Sequence, residues 1–312
     1  MSRPKSEIIA ELAAQYRAQR LSRREFFQKA AFATGSLLLA QQIMLEEGFA
    51  AESEMYDWPD APGQQPQTPA ESIAAGERRR PPDVSAEWVK YPSGDIQVGG
   101  YLARPATGAP FAAVIVIHEN RGLTEFVLDI AQRWAGEGLL ALAPDFLSRI
   151  GGTESFDSMD AAREGIGRLR REDVMSDLSA TVAYLKSRGD VRKQHIGVSG
   201  YCWGGAQTHY FATVSQEIAF AVPFYGSPPP LDRLEQIRCP IFAVFAEDDA
   251  RVNATMVETE ERMRALGKRY DRRVYPGTQH AFMNFTAPQR YNAEQARAAW
   301  ADVTAFVKEV VR

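Results

Sequence analysis

From residue 85 onward, short apolar runs alternate with longer stretches whose apolar residues recur every three or four positions. Residues 112–117 (Ala-Ala-Val-Ile-Val-Ile) are continuous and largely β-branched, the pattern of a strand buried on both faces. Residues 96–104 alternate in part and predict an earlier strand; 139–143, 195–199, 219–224, 241–245 and 272–275 predict the others. Between them, Val174, Leu178, Val182 and Leu185 line one side of a helix over 174–185. Further helices are predicted over 123–134, 202–211, 256–266 and 292–312. Strands alternating with helices predict an α/β protein: a mostly parallel sheet with helices on both faces. In such sheets the site lies at the carboxyl ends of the strands.

The first 85 residues follow another pattern. Residues 1–30 hold seven bases against three acids, and an apolar stretch follows from Ala30 to Ala40. Within the basic part, Ser22-Arg23-Arg24-Glu25-Phe26-Phe27-Gln28-Lys29 resembles a twin-arginine export signal. Residues 1–51 are therefore expected to be an export signal, with the twin-arginine machinery as partner and a periplasmic or otherwise exported destination. The competing reading is an amphipathic helix on a cytoplasmic protein, since Ile8, Leu12 and Tyr16 recur at helical spacing. Residues 52–85 are expected to be an acidic, proline-rich linker, with Arg78-Arg79-Arg80 in a solvated loop. The catalytic domain is then 86–312.

Composition narrows the function. Among 312 residues, 45% are hydrophobic and 24% charged, enough to build a core. Net charge is −4, from 36 basic and 40 acidic residues, so nothing points to nucleic acid. The apolar stretch at 30–40 is far shorter than the roughly 18 residues a bilayer span needs. There are two cysteines. Cys202 falls at the carboxyl end of a strand and Cys239 before one, roughly 15–20 Å apart at about 3.3 Å per residue, so no disulfide is expected.

The chemistry-bearing segment is Gly200-Tyr201-Cys202-Trp203-Gly204-Gly205, set between a strand and a helix. A nucleophile at the tip of so tight a turn needs small residues two positions to either side, and Gly200 and Gly204 supply them. The helix that follows presents free amides, with the Trp203 N–H as an oxyanion donor. Asp249, chosen over Glu247 and Asp248, ends a later strand, and His280 follows the last one. The order nucleophile, acid, histidine makes Cys202, Asp249 and His280 a candidate triad. His118 ends a strand at the active edge and is a candidate pocket residue, whereas His195 and His209 read as structural or surface residues. No ligand-spaced Cys/His cluster or phosphate-type glycine loop is present, so no metal and no cofactor is expected.

With His118-Glu119-Asn120-Arg121-Gly122 and Tyr275-Pro276-Gly277-Thr278-Gln279-His280-Ala281-Phe282, these motifs make residues from about 96 to 312 resemble the dienelactone hydrolases (carboxymethylenebutenolidases). The resemblance implies the α/β-hydrolase fold and a small ester or lactone substrate. It implies that Glu119 switches the cysteine between resting and activated states, and that the Asn120 N–H completes the oxyanion hole. One position departs: where the family carries a substrate-binding arginine four residues past the histidine, this chain has Asn284. Arg121 and Arg251 lie near the same edge as candidates to replace it, and either equally suits a surface salt bridge. The expected function is hydrolysis of a lactone or small ester through a thioester acyl-enzyme. The alternative is a non-catalytic exported binding or accessory protein on the same scaffold. Thiol redox chemistry has no Cys-x-x-Cys to support it.

Overall fold

The computed structural model describes residues 58–312 apart from 62, 64, 65 and 67, and a few isolated helical positions before residue 58. Residues 1–57 and 58–312 are separate compact units, and only the second is described below. The twin-arginine stretch and the apolar run after it lie outside the described residues, Lys29 excepted.

The unit begins with α1 (Pro69–Arg78), then β1 (Val84–Ser93), β2 (Ile96–Pro105), β3 (Phe111–Ile117), α2 (Glu125–Gly136) and β4 (Leu140–Pro144). After two short 3-10 turns come α3 (Met159–Gly167), α4 (Arg171–Ser187), β5 (Val191–Tyr201), α5 (Trp203–Ala212) and β6 (Ala221–Phe224). Next are β7 (Ile241–Asp248), the single turn α6 (Ala250–Asn253), α7 (Met256–Ala265), β8 (Tyr270–Gln279) and α8 (Ala293–Val310).

All eight strands form one sheet in the order β1-β2-β4-β3-β5-β6-β7-β8. The β1–β2 and β2–β4 pairings are antiparallel, and every pairing from β4 across to β8 is parallel. Every residue of β3 and β4 is buried, as their unbroken apolar runs require. One face of the sheet (Ile115, Leu142, Val198) shares a core with α4, α5 and α7 through Leu178, Phe211 and Met263. On the other face α2 and α8 meet, Trp134 against Trp300 with ring centroids 4.6 Å apart. No helix of the described residues is long and apolar enough to cross a membrane.

Three elements differ from the sequence expectation. β1 was not anticipated because an edge strand paired on one side alone shows no clean alternation of burial. α3 starts at a Ser158 cap in a stretch between 143 and 174 for which no element was predicted. Within the segment read as linker, α1 opens on a capping box between Thr68 and Glu71 with Pro69 in its first turn, a start signal present in the sequence. Arg79, expected in a solvated loop, instead bonds Asp129 and lies 4.6 Å over the Phe285 ring. The cysteines behave as expected: both thiols are free.

Candidate active site

β5 ends at Tyr201 and α5 begins at Trp203, so Cys202 occupies the whole turn, with φ 56° and ψ −113°. That backbone is strained for a residue with a Cβ, and the surroundings hold it. A Cβ on Gly200 would lie 2.3 Å from the Gly204 carbonyl oxygen, and one on Gly204 would lie 2.4 Å from that of Ile117. The Cys202 N–H donates to the Phe224 carbonyl at 3.1 Å, tying the turn to β6. Cys202, Tyr225 and Ala281 are the only non-glycine residues with positive φ among the described residues, and all three border the site. Strain gathered at one place marks a functional centre.

His280 Nε2 lies 3.0 Å from Cys202 Sγ, and His280 Nδ1 lies 2.5 Å from Asp249 Oδ2. Asp249 caps α6, its other oxygen accepting the Val252 N–H at 3.4 Å, so its orientation is set by local structure. The rival acids have other surroundings: Glu247 accepts the Gly277 N–H, and Asp248 is exposed. Burial alone would lower the His280 pKa, but its bonds to Asp249 and Cys202 outweigh this and raise it to about 10. The setting therefore stabilises the imidazolium that forms when Nε2 receives the thiol proton.

Glu119 follows β3 and accepts from Asn284 Nδ2 at 2.6 Å, with the Tyr225 hydroxyl 3.5 Å from its other oxygen. Desolvation raises its pKa above the ordinary carboxylate range, against the Asn284 bond and the charges of His280 and Arg121, which lower it. Asn284 is held at its other end as well: its Oδ1 accepts both the Thr286 N–H and the Thr286 hydroxyl. The position expected to contact substrate thus also holds Glu119, a short amide fitting between a carboxylate and a tight turn. Asn120 follows Glu119 at the same strand end, and the Cys202 side chain caps none of the amides that begin with Trp203.

Of the arginines, Arg121 sits 3.9 Å from the exposed Asp160, yet its charge reaches Glu119. Arg251 is exposed on α6. His118 is structural: Phe146 N–H donates to its Nε2, its ring stacks on Trp203 at 5.4 Å, and burial lowers its pKa. His209 is likewise buried, beside the Tyr270 hydroxyl at 3.3 Å. Sequence reasoning missed Tyr225, whose ring stands edge-on to His280 at 5.2 Å. It also missed Gly226, where a Cβ would lie 2.1 Å from the Gly205 carbonyl carbon. Only the pairing of β6 beside the elbow reveals either.

Comparison with known proteins matches the same region. The model of the dienelactone hydrolase family aligns with residues 98–311. A relative from Methylorubrum extorquens, named as a carboxymethylenebutenolidase, is 32% identical over 224 residues, covering 68% of this chain and 77% of its own. Protein usf of Aquifex pyrophilus is 34% identical over 232 residues, covering 72% and 98%. A crystal structure of a Klebsiella pneumoniae protein described as a dienelactone hydrolase superposes with a TM-score of 0.66 at 25% identity, covering 72% of this chain and 98% of that one. The sheet order, the strained cysteine elbow and these matches agree: the chain belongs to the dienelactone hydrolase family and has the α/β-hydrolase fold.

Proposed function

We propose that the protein hydrolyses a lactone or small carboxylic ester through a thioester on Cys202. The observation that carries this reading is the line Sγ–Nε2 at 3.0 Å and Nδ1–Oδ2 at 2.5 Å, at the tip of a strained strand–helix turn. His280 Nε2 takes the thiol proton, and Asp249 holds the ring and the imidazolium charge. The sulfur attacks the substrate carbonyl, and the oxyanion is received by the N–H groups of Asn120 and Trp203. As the tetrahedral intermediate collapses, the carbon–oxygen bond breaks and His280 returns its proton to the leaving alkoxide; in a lactone that alcohol stays attached. Water, deprotonated by His280, then attacks the thioester, releasing the acid and returning the proton to the cysteine sulfur.

Glu119 is the group that governs the resting state of the thiol, held for that purpose by Asn284 and faced by Tyr225. With Asn284 so engaged, Arg121 is the nearer cation for a negatively charged substrate group. Aryl ester and enol-lactone hydrolysis by the full chain tests the reading. Cys202→Ala and His280→Ala should each lose at least about 10³-fold in kcat/KM. A parent inactive across a broad panel, or a Cys202→Ala variant as active as the parent, would sink it in favour of a binding scaffold.

A further inference from the structure

Trp58, Pro59, Gly63, α1 and Arg79 precede the region matched to the family, yet they close on the loop that carries the histidine. Trp58 is 3% exposed, with the Arg133 guanidinium 4.3 Å above its ring. The carbonyls of Trp58 and Pro59 accept from Arg297 at 2.8 Å and from the Tyr291 hydroxyl at 2.6 Å. The Gly63 N–H then donates to the Phe285 carbonyl at 2.8 Å. At the far end Arg79 lies over the Phe285 ring at 4.6 Å, while Phe126 supports that ring from α2 at 6.1 Å.

Phe285 is therefore gripped through its carbonyl and through its ring by the same segment. It is the neighbour of Asn284, which holds Glu119, and it lies on the loop that begins at His280. That loop is a chain of tight turns: Phe282 N–H to Gln279 O, Asn284 N–H to Ala281 O, Thr286 N–H to Asn284 Oδ1. A shift at Phe285 has no slack segment in which to dissipate before it reaches Asn284 and His280. The docking of α1 does not itself depend on Phe285. Gly76 packs on α2, where a Cβ would meet that of Leu128 at 2.8 Å, and Ser72 Oγ accepts the Glu125 N–H at 2.9 Å. That bond caps α2, whose own Thr124 makes no side-chain cap.

We propose that Trp58, Pro59, Gly63, α1 and Arg79 form a positioning strap for the catalytic loop, with Arg79 and the Gly63 N–H holding Phe285 and, through it, Asn284 against Glu119 and His280 against Cys202. This rests on the triad reading above. Displacements of about 1 Å at such a pair cost up to about a hundredfold in rate, so the strap acts on catalysis without touching substrate.

The test uses the full chain with Arg79→Met, Arg79→Lys and Phe285→Leu. Asp129 keeps Arg133 as its partner in the Arg79 variants. Three quantities are read: kcat and KM on an aryl ester, melting temperature, and the pH profile of Cys202 alkylation by iodoacetamide. Cys239 is buried, and Cys202→Ala supplies the background. Arg79→Met and Phe285→Leu should lower kcat about tenfold or more with KM within about twofold. They should also shift the pH dependence of Cys202 alkylation away from that of the parent, since the imidazole beside the sulfur would be displaced, and Arg79→Lys should restore much of both. A lower melting temperature with kcat and alkylation profile unchanged would overturn the proposal, leaving a brace of the fold alone. The alkylation profile needs no substrate, so it decides the strap even if no ester is turned over: a shifted pH dependence supports it and an unshifted one overturns it.

Discussion

At Glu119 two physical demands oppose each other. Burial raises the carboxyl pKa by penalising the charge, while the Asn284 donor and the nearby His280 and Arg121 charges act to keep it ionised. A carboxyl whose folded pKa is raised gives full stability below its ordinary value of about 4.5. That stability falls as pH rises toward the elevated value. Glu119→Gln removes the ionisation and keeps an oxygen for Asn284. Its melting temperature should therefore gain on the parent as pH rises from 4 to 8, by about 2–4 °C for each kcal/mol relieved. Activity should fall over the same range. A difference in melting temperature independent of pH would contradict the burial argument.

Among the elements, the elbow is defined by what cannot fit around it. β6 and α5 approach so closely that a Cβ on Gly226 would lie 2.1 Å from the Gly205 carbonyl carbon and 2.2 Å from the Ala206 nitrogen. Both are backbone atoms, so no rotamer change relieves the contact. Gly226→Ala should push α5 off the sheet at a cost of about 1–3 kcal/mol, and it should reduce kcat, since Cys202 bonds the carbonyl of Phe224, two residues before Gly226. Gly189→Ala, where no atom lies within 4 Å of the added methyl, is the control and should be neutral. Urea midpoints and ester turnover for the pair measure both effects; equal behaviour would show that the approach is not rigid. The glycines at positions −2 and +2 were legible from the spacing around Cys202. Gly226 was not, since its constraint comes from a helix that packs over it.

For the whole molecule, distant segments are joined by a few buried polar contacts. Asp177 on α4, 1% exposed, accepts the Ser93 hydroxyl at 2.6 Å from the end of β1. It also accepts two Arg149 donors, at 2.8 and 2.9 Å, from the 3-10 turn after β4. Asp177→Ala strips one member from this network and should cost about 3–5 kcal/mol, read as a lower urea midpoint. Asp177→Asn, which keeps an acceptor for Ser93, should cost less. A loss below about 1 kcal/mol would mean the contact is merely local. The same scale explains why residues 52–85 read as linker. The face that α1 buries, Pro69, Ser72, Ile73 and Gly76, carries a single large apolar residue, too little for a periodic signal.

By itself the sequence determined the alternation of strands and helices, the mostly parallel sheet, the elbow at Cys202 and the chain order in which Asp249 and His280 follow it. These are local properties: side-chain period, steric room two residues either side of a nucleophile, and the ends of strands that must lie along one edge. Only the tertiary structure decided what Asn284 does, since its bond to Glu119 spans 165 residues and leaves no periodic trace. The same holds for Tyr225, 106 residues from the carboxylate it faces, and for the segment that closes on Phe285. Such contacts depend on which surfaces meet once the sheet has formed, and no local pattern encodes that meeting.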